Sequence, residues 1–210
     1  MQALLKLSRA IDALNALVGR YVIWLILAAT IVSGLNAVVR KVFNYSSNAF
    51  LEVQWYFFAA SFLLAAGYTL LEKEHVKVDV INAKLSLRTR VWIDVLGFAF
   101  FLTPMCLLVL YYGVPFFLQA LESGEMSGNS GGLIRWPVYL FIPLGFGLLL
   151  LQGVSEFIKR VAFLCGLIDD PTLKVLEKAP EEELAEAIRK TEEEAARQAA
   201  RNHTSGAKSA

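Results

Sequence analysis

Four long stretches of this chain contain no Asp, Glu, Lys, Arg or His, and charged segments separate them. The stretches run over residues 21–39, 53–71, 95–121 and 136–155. Each is close to or longer than the roughly 20 apolar residues that an α-helix needs to cross about 30 Å of hydrocarbon. The pattern predicts an all-α membrane protein with four transmembrane helices.

Composition agrees with this prediction and indicates which partners to expect. Hydrophobic residues make up 56% of the 210 residues, and the formal net charge is only +1. A chain this apolar cannot place a large soluble domain beside four spans, so membrane lipids are its expected surroundings. The small net charge gives no general attraction to nucleic acid, and no nucleic-acid partner is expected.

Cations outside the spans predict the topology. They concentrate in three segments, which contain Lys6, Arg9 and Arg20; Lys73, Lys77, Lys84, Arg88 and Arg90; and Lys159 and Arg160. The positive-inside rule places these segments in the cytoplasm, so both termini are predicted to be cytoplasmic. Arg40 and Lys41, which fall on the other side in this topology, oppose it.

An amphipathic helix is predicted before the first span. Leu4, Leu7, Ile11, Leu14 and Val18 recur every three or four residues with charged residues between them. We expect residues 1–20 to form an interfacial helix at the cytoplasmic surface. A short coiled-coil seam is the weaker alternative, because fewer than three heptads are present. The apolar run that follows is too long for a signal peptide and has no small-residue cleavage site.

The chain therefore divides into four predicted parts. The interfacial helix 1–20 precedes a transmembrane domain at 21–158, a cytoplasmic linker at 159–180 and a charged tail at 181–210. In the tail, Pro180 followed by three glutamates is typical of a helix start, and Glu186 with Lys190 forms an i,i+4 pair. Few apolar residues face one side, so the tail is predicted to be only partly helical.

Candidate chemistry is scarce. The two histidines, His75 and His203, lie outside the spans, where they cannot supply the axial ligands of an intramembrane haem. Cys106 and Cys165 have no paired spacing. No catalytic residue, metal ligand or cofactor site is predicted. A self-sufficient four-helix transporter or channel and a membrane enzyme with an unrecognised site stay open as alternatives.

Polar residues gather near the ends of the first two spans. Asn36, Arg40, Glu52 and Gln54 fall at the same predicted membrane edge. Arg40 and Glu52 can form an ion pair there, or each can extend to the lipid headgroups, and the two interpretations are about equally supported.

The chain resembles the small membrane subunit of tripartite ATP-independent periplasmic (TRAP) transporters, the DctQ-like proteins. The resemblance rests on four spans in this order, on Glu52 at the start of the second span, on residues 75–79 and on residues 131–137. Residues 142–146 and 151–153 are similar to the branch named for mannitol and chloroaromatic compounds. The positions that we carry over from the family pattern are Glu52, His75, Asp79, Arg135 and Trp136.

The resemblance implies a multi-pass protein of a bacterial or archaeal cytoplasmic membrane, with a large permease subunit and a periplasmic substrate-binding protein as partners. The permease would take up a carboxylate-type solute driven by an ion gradient, in most cases Na⁺. The small subunit would be a scaffold for an elevator-type permease rather than an enzyme. Its family-pattern residues would orient helices, connecting loops or the partner interface.

Overall fold

Long α-helices make up most of the computed structural model, which describes residues 2–44, 47–72 and 85–168. The helices are α1 (Gln2–Phe43), α2 (Asn48–Leu71), α3 (Leu87–Gly97), α4 (Thr103–Ser123) and α5 (Trp136–Leu164), with a π-helical turn (Phe98–Leu102) between α3 and α4. α1, α2, the continuous α3–α4 unit and α5 are each long and apolar enough to cross a membrane. The predicted fold class is confirmed.

Local sequence signals explain where several helices begin and end. Ser86 caps α3, because its hydroxyl accepts a hydrogen bond from the Thr89 backbone N–H at 3.3 Å. α4 ends at Gly124, whose φ of 62° is left-handed and suits glycine. α5 begins at Trp136 with a proline in its first turn, as the sequence predicts.

α1 is a single helix of 42 residues and has no break at residue 20. At 1.5 Å per residue it is about 63 Å long, roughly twice the thickness of the hydrocarbon layer. Residues 2–20 are therefore part of the same helix as the first span and not a separate interfacial helix. Ile11 of the predicted apolar stripe is buried in the protein, whereas Leu7 and Leu14 of that stripe are exposed.

α2 and α5 form the centre of the packing. α2 contacts α1 and α5, and α5 also contacts α1, α3 and α4. The backbones of α2 and α5 approach closely at Gly145, where an added Cβ would lie 2.5 Å from the Leu63 carbonyl oxygen. Small residues at helix contacts allow this approach, which increases van der Waals contact between helices in a membrane.

The π turn was not predicted. It ends two residues before Pro104, whose missing N–H and bulky ring interrupt regular α-helical bonding in the preceding turn. The Thr103 hydroxyl donates a hydrogen bond of 2.8 Å to the Phe98 carbonyl oxygen, which occupies an acceptor of the widened turn.

Several predictions lie outside the described residues. These are the placements of His75 and Asp79, most of the predicted linker at 159–180, and the charged tail at 181–210.

Candidate functional sites at the two helix-bundle ends

Glu52 attaches the loop between α4 and α5 to the start of α2. Its side chain is buried, and its carboxylate accepts hydrogen bonds from the Asn129 amide at 2.8 Å, the Leu133 backbone N–H at 2.6 Å and the Ser127 hydroxyl. Hydrogen bonds to an ionised acceptor are stronger than neutral ones. The carboxylate thus compensates for its burial by holding three separate points of one loop.

The loop itself, residues 124–135, is folded back as a small hairpin. Met126 and Ile134 form an antiparallel bridge, and the Ser127 N–H donates to the Leu133 carbonyl oxygen at 2.9 Å. Two further contacts join it to α2: Tyr56 donates to the Ile134 carbonyl, and Asn48 donates to the Ser130 carbonyl. The glycine- and serine-rich sequence of this loop is therefore an ordered structural element.

The possible Arg40–Glu52 ion pair is not formed. Glu52 faces the α4–α5 loop, whereas Gln54, two residues further along α2, faces α1. Residues two positions apart on a helix point in different directions. Glu52 and Gln54 therefore contact different parts of the protein, although both lie near the start of α2. The interpretation that pairs Arg40 with Glu52 is wrong for this reason.

Asn36, Arg40 and Gln54 do lie together, around a notch of about 440 Å³ between α1 and α2. Asn36 Oδ1 and Gln54 Nε2 are buried there and have no hydrogen-bond partner among the described residues. Of the four polar residues predicted to share this membrane edge, three line the notch, whereas Glu52 of α2 binds the α4–α5 loop instead.

Arg135 forms an ion pair with Glu125 of the same loop, at 2.8 Å between Nη1 and Oε1. That hydrogen bond is the main cause of a raised pKa for Arg135. Trp136, half-buried, is the first residue of α5. Both family-pattern residues therefore stand where the loop joins the helix.

A second polar site lies at the opposite end of the helices and was not identified from the sequence. We call it the ion-pair cluster and define it as the alternating row of charged residues Asp12, Lys159, Glu156, Arg160 and Asp94. Lys159 Nζ lies 2.7 Å from both Asp12 and Glu156, and Arg160 Nε lies 2.9 Å from Asp94. Arg160 also bonds Glu156 through Nη1.

The centre of the ion-pair cluster is buried. Glu156 and Arg160 are only 1% and 3% exposed. The Arg160 guanidinium also lies 4.6 Å from the centre of the Phe98 ring, a cation–π contact. Three carboxylates face two cations, so the pairs largely neutralise one another.

Uncharged polar groups extend the ion-pair cluster between α1 and α5. Gln152 donates to Asp12 at 2.9 Å and accepts from the Asn15 amide at 3.0 Å. The Ser8 and Ser155 hydroxyls lie 2.7 Å apart. Because all of these residues except Asp12 are fully buried, this end of α1 is fixed against α5 by a connected polar network.

The spacing of polar residues near the end of α5 is a sequence signal for this site. Gln152 and Ser155 are polar residues inside the fourth apolar stretch, and Glu156, Lys159 and Arg160 continue the same helix face at spacings of three and four. Taken alone, Lys159 and Arg160 predict the start of a cytoplasmic linker. Polar residues that continue a buried helix face instead require partners on neighbouring helices.

Within the described residues, no group of three or more His, Cys, Asp or Glu side chains is arranged to hold a metal ion. The contacts at both ends attach helices and a loop to one another.

No curated protein and no solved structure matches the chain. A family model described as "Tripartite ATP-independent periplasmic transporters, DctQ component" matches residues 29–163, more than half of the chain. That segment includes Glu52, the α4–α5 loop and most of α5. This family is a transporter component and not an enzyme family. The chain belongs to the DctQ family, the small membrane component of TRAP transporters.

Proposed function

We propose that this DctQ protein is a static scaffold for a large elevator-type permease, which carries a carboxylate-type solute delivered by a periplasmic binding protein. Na⁺ is the proposed coupling ion. The proposal places the transport sites on the permease and none on this chain. It assigns the family-pattern residues to helix and loop orientation and to the partner interface.

One observation carries the proposal: the central parts of all four membrane-spanning units lack charged side chains. Residues 21–39, 53–71, 95–121 and 136–155 contain no Asp, Glu, Lys, Arg or His. Ion and proton pathways usually leave such residues within the membrane. The ion-pair cluster lies at one end and is internally paired, which supports a structural role rather than a path across the bilayer.

The attachment of both ends also supports a static role. Glu52 ties the α4–α5 loop to α2, and the ion-pair cluster ties α1 to α5 and α3. A helix bundle whose helices are attached at both ends keeps its shape while a domain of the partner moves beside it in the membrane.

Co-purification tests the proposal directly. The protein is tagged at its C-terminus in its native membranes, solubilised in mild detergent and purified, and the partners are identified by mass spectrometry. We expect a large multi-span permease at a fixed ratio. Reconstitution of the two subunits with the binding protein should give Na⁺-dependent uptake of a carboxylate solute, whereas this chain alone should give none. Transport by this chain alone would overturn the scaffold proposal.

We also propose that both termini face the cytoplasm, which places the α4–α5 loop in the periplasm. A membrane-impermeant maleimide can test this on intact spheroplasts, after both native cysteines are replaced by serine. A Gly128→Cys variant should be labelled, and a Leu167→Cys variant should be labelled only after lysis. The reverse pattern would require the opposite topology.

A further inference from the structure

An exposed apolar stripe runs along the whole of α1. We call it the α1 seam. It repeats with alternating spacings of four and three residues and consists of Ala3, Leu7, Ala10, Leu14, Leu17, Tyr21, Trp24, Ala28, Ile31, Leu35, Val38 and Val42. Its large side chains are 43–66% exposed. A sustained spacing of this kind, over five heptads, is the pattern of a helix that packs lengthwise against another helix.

Lipid accounts for only part of the α1 seam. The helix is about 63 Å long, whereas the hydrocarbon layer is about 30 Å thick. The charge-free part of α1 is residues 21–39, so the seam positions before Tyr21 lie on the extension beyond it. Leu7, Leu14 and Leu17 are nevertheless 51%, 43% and 51% exposed.

The direction of this extension prevents it from lying flat on the membrane surface. It continues the transmembrane helix without a break, and Ser8 and Asn15 are hydrogen-bonded to α5. Those contacts use a different face from the α1 seam. The seam therefore faces away from the bundle, parallel to the helix axes, and a helix of another protein can pack along it.

Charged residues on the border of the α1 seam indicate what kind of helix can pack against it. Lys6, Arg20 and Lys41 each directly precede a seam residue, at the position that borders a helix–helix contact. All three are exposed, and none forms an ion pair within the part of the chain that the structure describes. A partner with carboxylates at these levels would complement them.

A second copy of this chain does not provide those carboxylates. Two copies inserted with the same topology would pack their α1 helices in parallel. The residues bordering the other side of the seam are all apolar: Leu4, Ile11, Val18, Leu25, Val32 and Val39. No acidic residue borders the seam on either side, so a self-pair would bring cations together without counter-charges.

We propose that the α1 seam packs against a helix of the large permease subunit, which has an apolar face bordered by carboxylates opposite Lys6 and Arg20. This inference rests on the proposed function, because it assigns the scaffold's contact surface. The two helices cross at roughly 20°, as helices with seven-residue apolar repeats do. Their contact extends beyond the membrane on the side of the ion-pair cluster, which holds α1 in place from behind.

Site-specific photo-cross-linking tests this contact in native membranes. Benzoylphenylalanine is placed at Leu7, Leu14 or Leu17 of the seam. The controls are Leu108 and Tyr112 of α4, which are more exposed than the seam positions and so at least as accessible to a partner. We expect the seam positions to cross-link to one acid-bordered helix of the permease, whereas the α4 positions should cross-link to lipid. Permease cross-links from α4 alone, or a covalent dimer of this chain from Leu14, would overturn the inference.

Charge reversal provides a second test that does not depend on cross-linking. A Lys6→Glu, Arg20→Glu double variant should reduce the co-purified permease by about tenfold, because two favourable rim contacts become repulsive. Arg88→Glu is the control, since Arg88 is an exposed cation of α3, outside the seam. Equal recovery from the double variant and the control would contradict the inference.

The results separate this inference from the proposed function. Absence of the permease from the purified wild-type protein would refute the scaffold itself. A permease that co-purifies with the wild type but cross-links only elsewhere would leave the scaffold intact and refute the α1 seam as its contact surface.

Discussion

Replacing Arg160 by methionine tests whether the ion-pair cluster holds α5 against its neighbours. Arg160 is 3% exposed, bonds Asp94 at 2.9 Å and Glu156, and stacks over Phe98. Methionine keeps much of the apolar stem and removes the charge. Two carboxylates would then remain close together without the cation between them.

The expected loss of stability is large. Removing one partner of a buried ion pair typically costs about 3–5 kcal/mol, because the other charge stays buried without compensation. Asp94 is 22% exposed in its side chain and can regain part of its hydration. Glu156, at 2%, cannot be hydrated and keeps only the ion pair with Lys159, which offsets part of the cost. We therefore expect about 3 kcal/mol, near the lower end of this range.

The measurement is the free energy of unfolding in mixed micelles, obtained by titration with SDS and followed by tryptophan fluorescence. Arg135→Met is the matched control, since the side chains of its ion pair with Glu125 are 39% and 43% exposed. An exposed pair contributes little, so the control should lose far less stability. Adding Glu156→Gln to Arg160→Met should recover part of the loss. Equal losses for the two arginine variants would refute the argument.

Three other changes test the described contacts. Glu52→Ala should release the α4–α5 loop and speed backbone hydrogen exchange there, with the folded helices unchanged by circular dichroism, because the carboxylate holds three of its groups. Gly67→Ala should destabilise the protein by about 1–3 kcal/mol in the SDS titration, because its Cβ would overlap the buried amide oxygen of Asn15, whereas Gly34→Ala, with open space, should not. Deleting Phe101 should be tolerated, since it turns the π turn into regular helix, whereas deleting Leu108 should prevent recovery of folded protein.

The sequence predicts the helices well because the membrane imposes a strong requirement. Every backbone polar group in hydrocarbon must be bonded within the protein, so a long apolar run can only be a helix. The start of α5 at Trp136 also follows from sequence, since proline in a first turn is a local signal. Such features depend on neighbouring residues in the chain, and the sequence contains them directly.

The polar contacts could not be predicted in the same way, because each joins residues far apart in the chain. Glu52 and Leu133 meet only once α2 and α5 are packed. The direction of Glu52 away from Arg40 depends on the rotation of α2, which apolar residues on all its faces leave unspecified. The ion-pair cluster likewise requires the register of three helices.

The free-energy cost of separating two helices differs between the polar ends and the apolar middle of the bundle. In the middle, close backbone contacts such as that at Gly145 hold the helices together by van der Waals packing alone. Lipid tails can make van der Waals contacts with the same surfaces, so separating the helices there costs less. At the end that holds the ion-pair cluster, separating α1 from α5 would leave Gln152 and Ser155 without their partner Asp12 in a poorly hydrated region. At the other end, moving the α4–α5 loop away from α2 would leave Glu52 buried without its three donors. Separation is therefore most costly at the ends. A bundle attached there resists sliding of one helix past another, which is what a scaffold beside a moving permease domain requires.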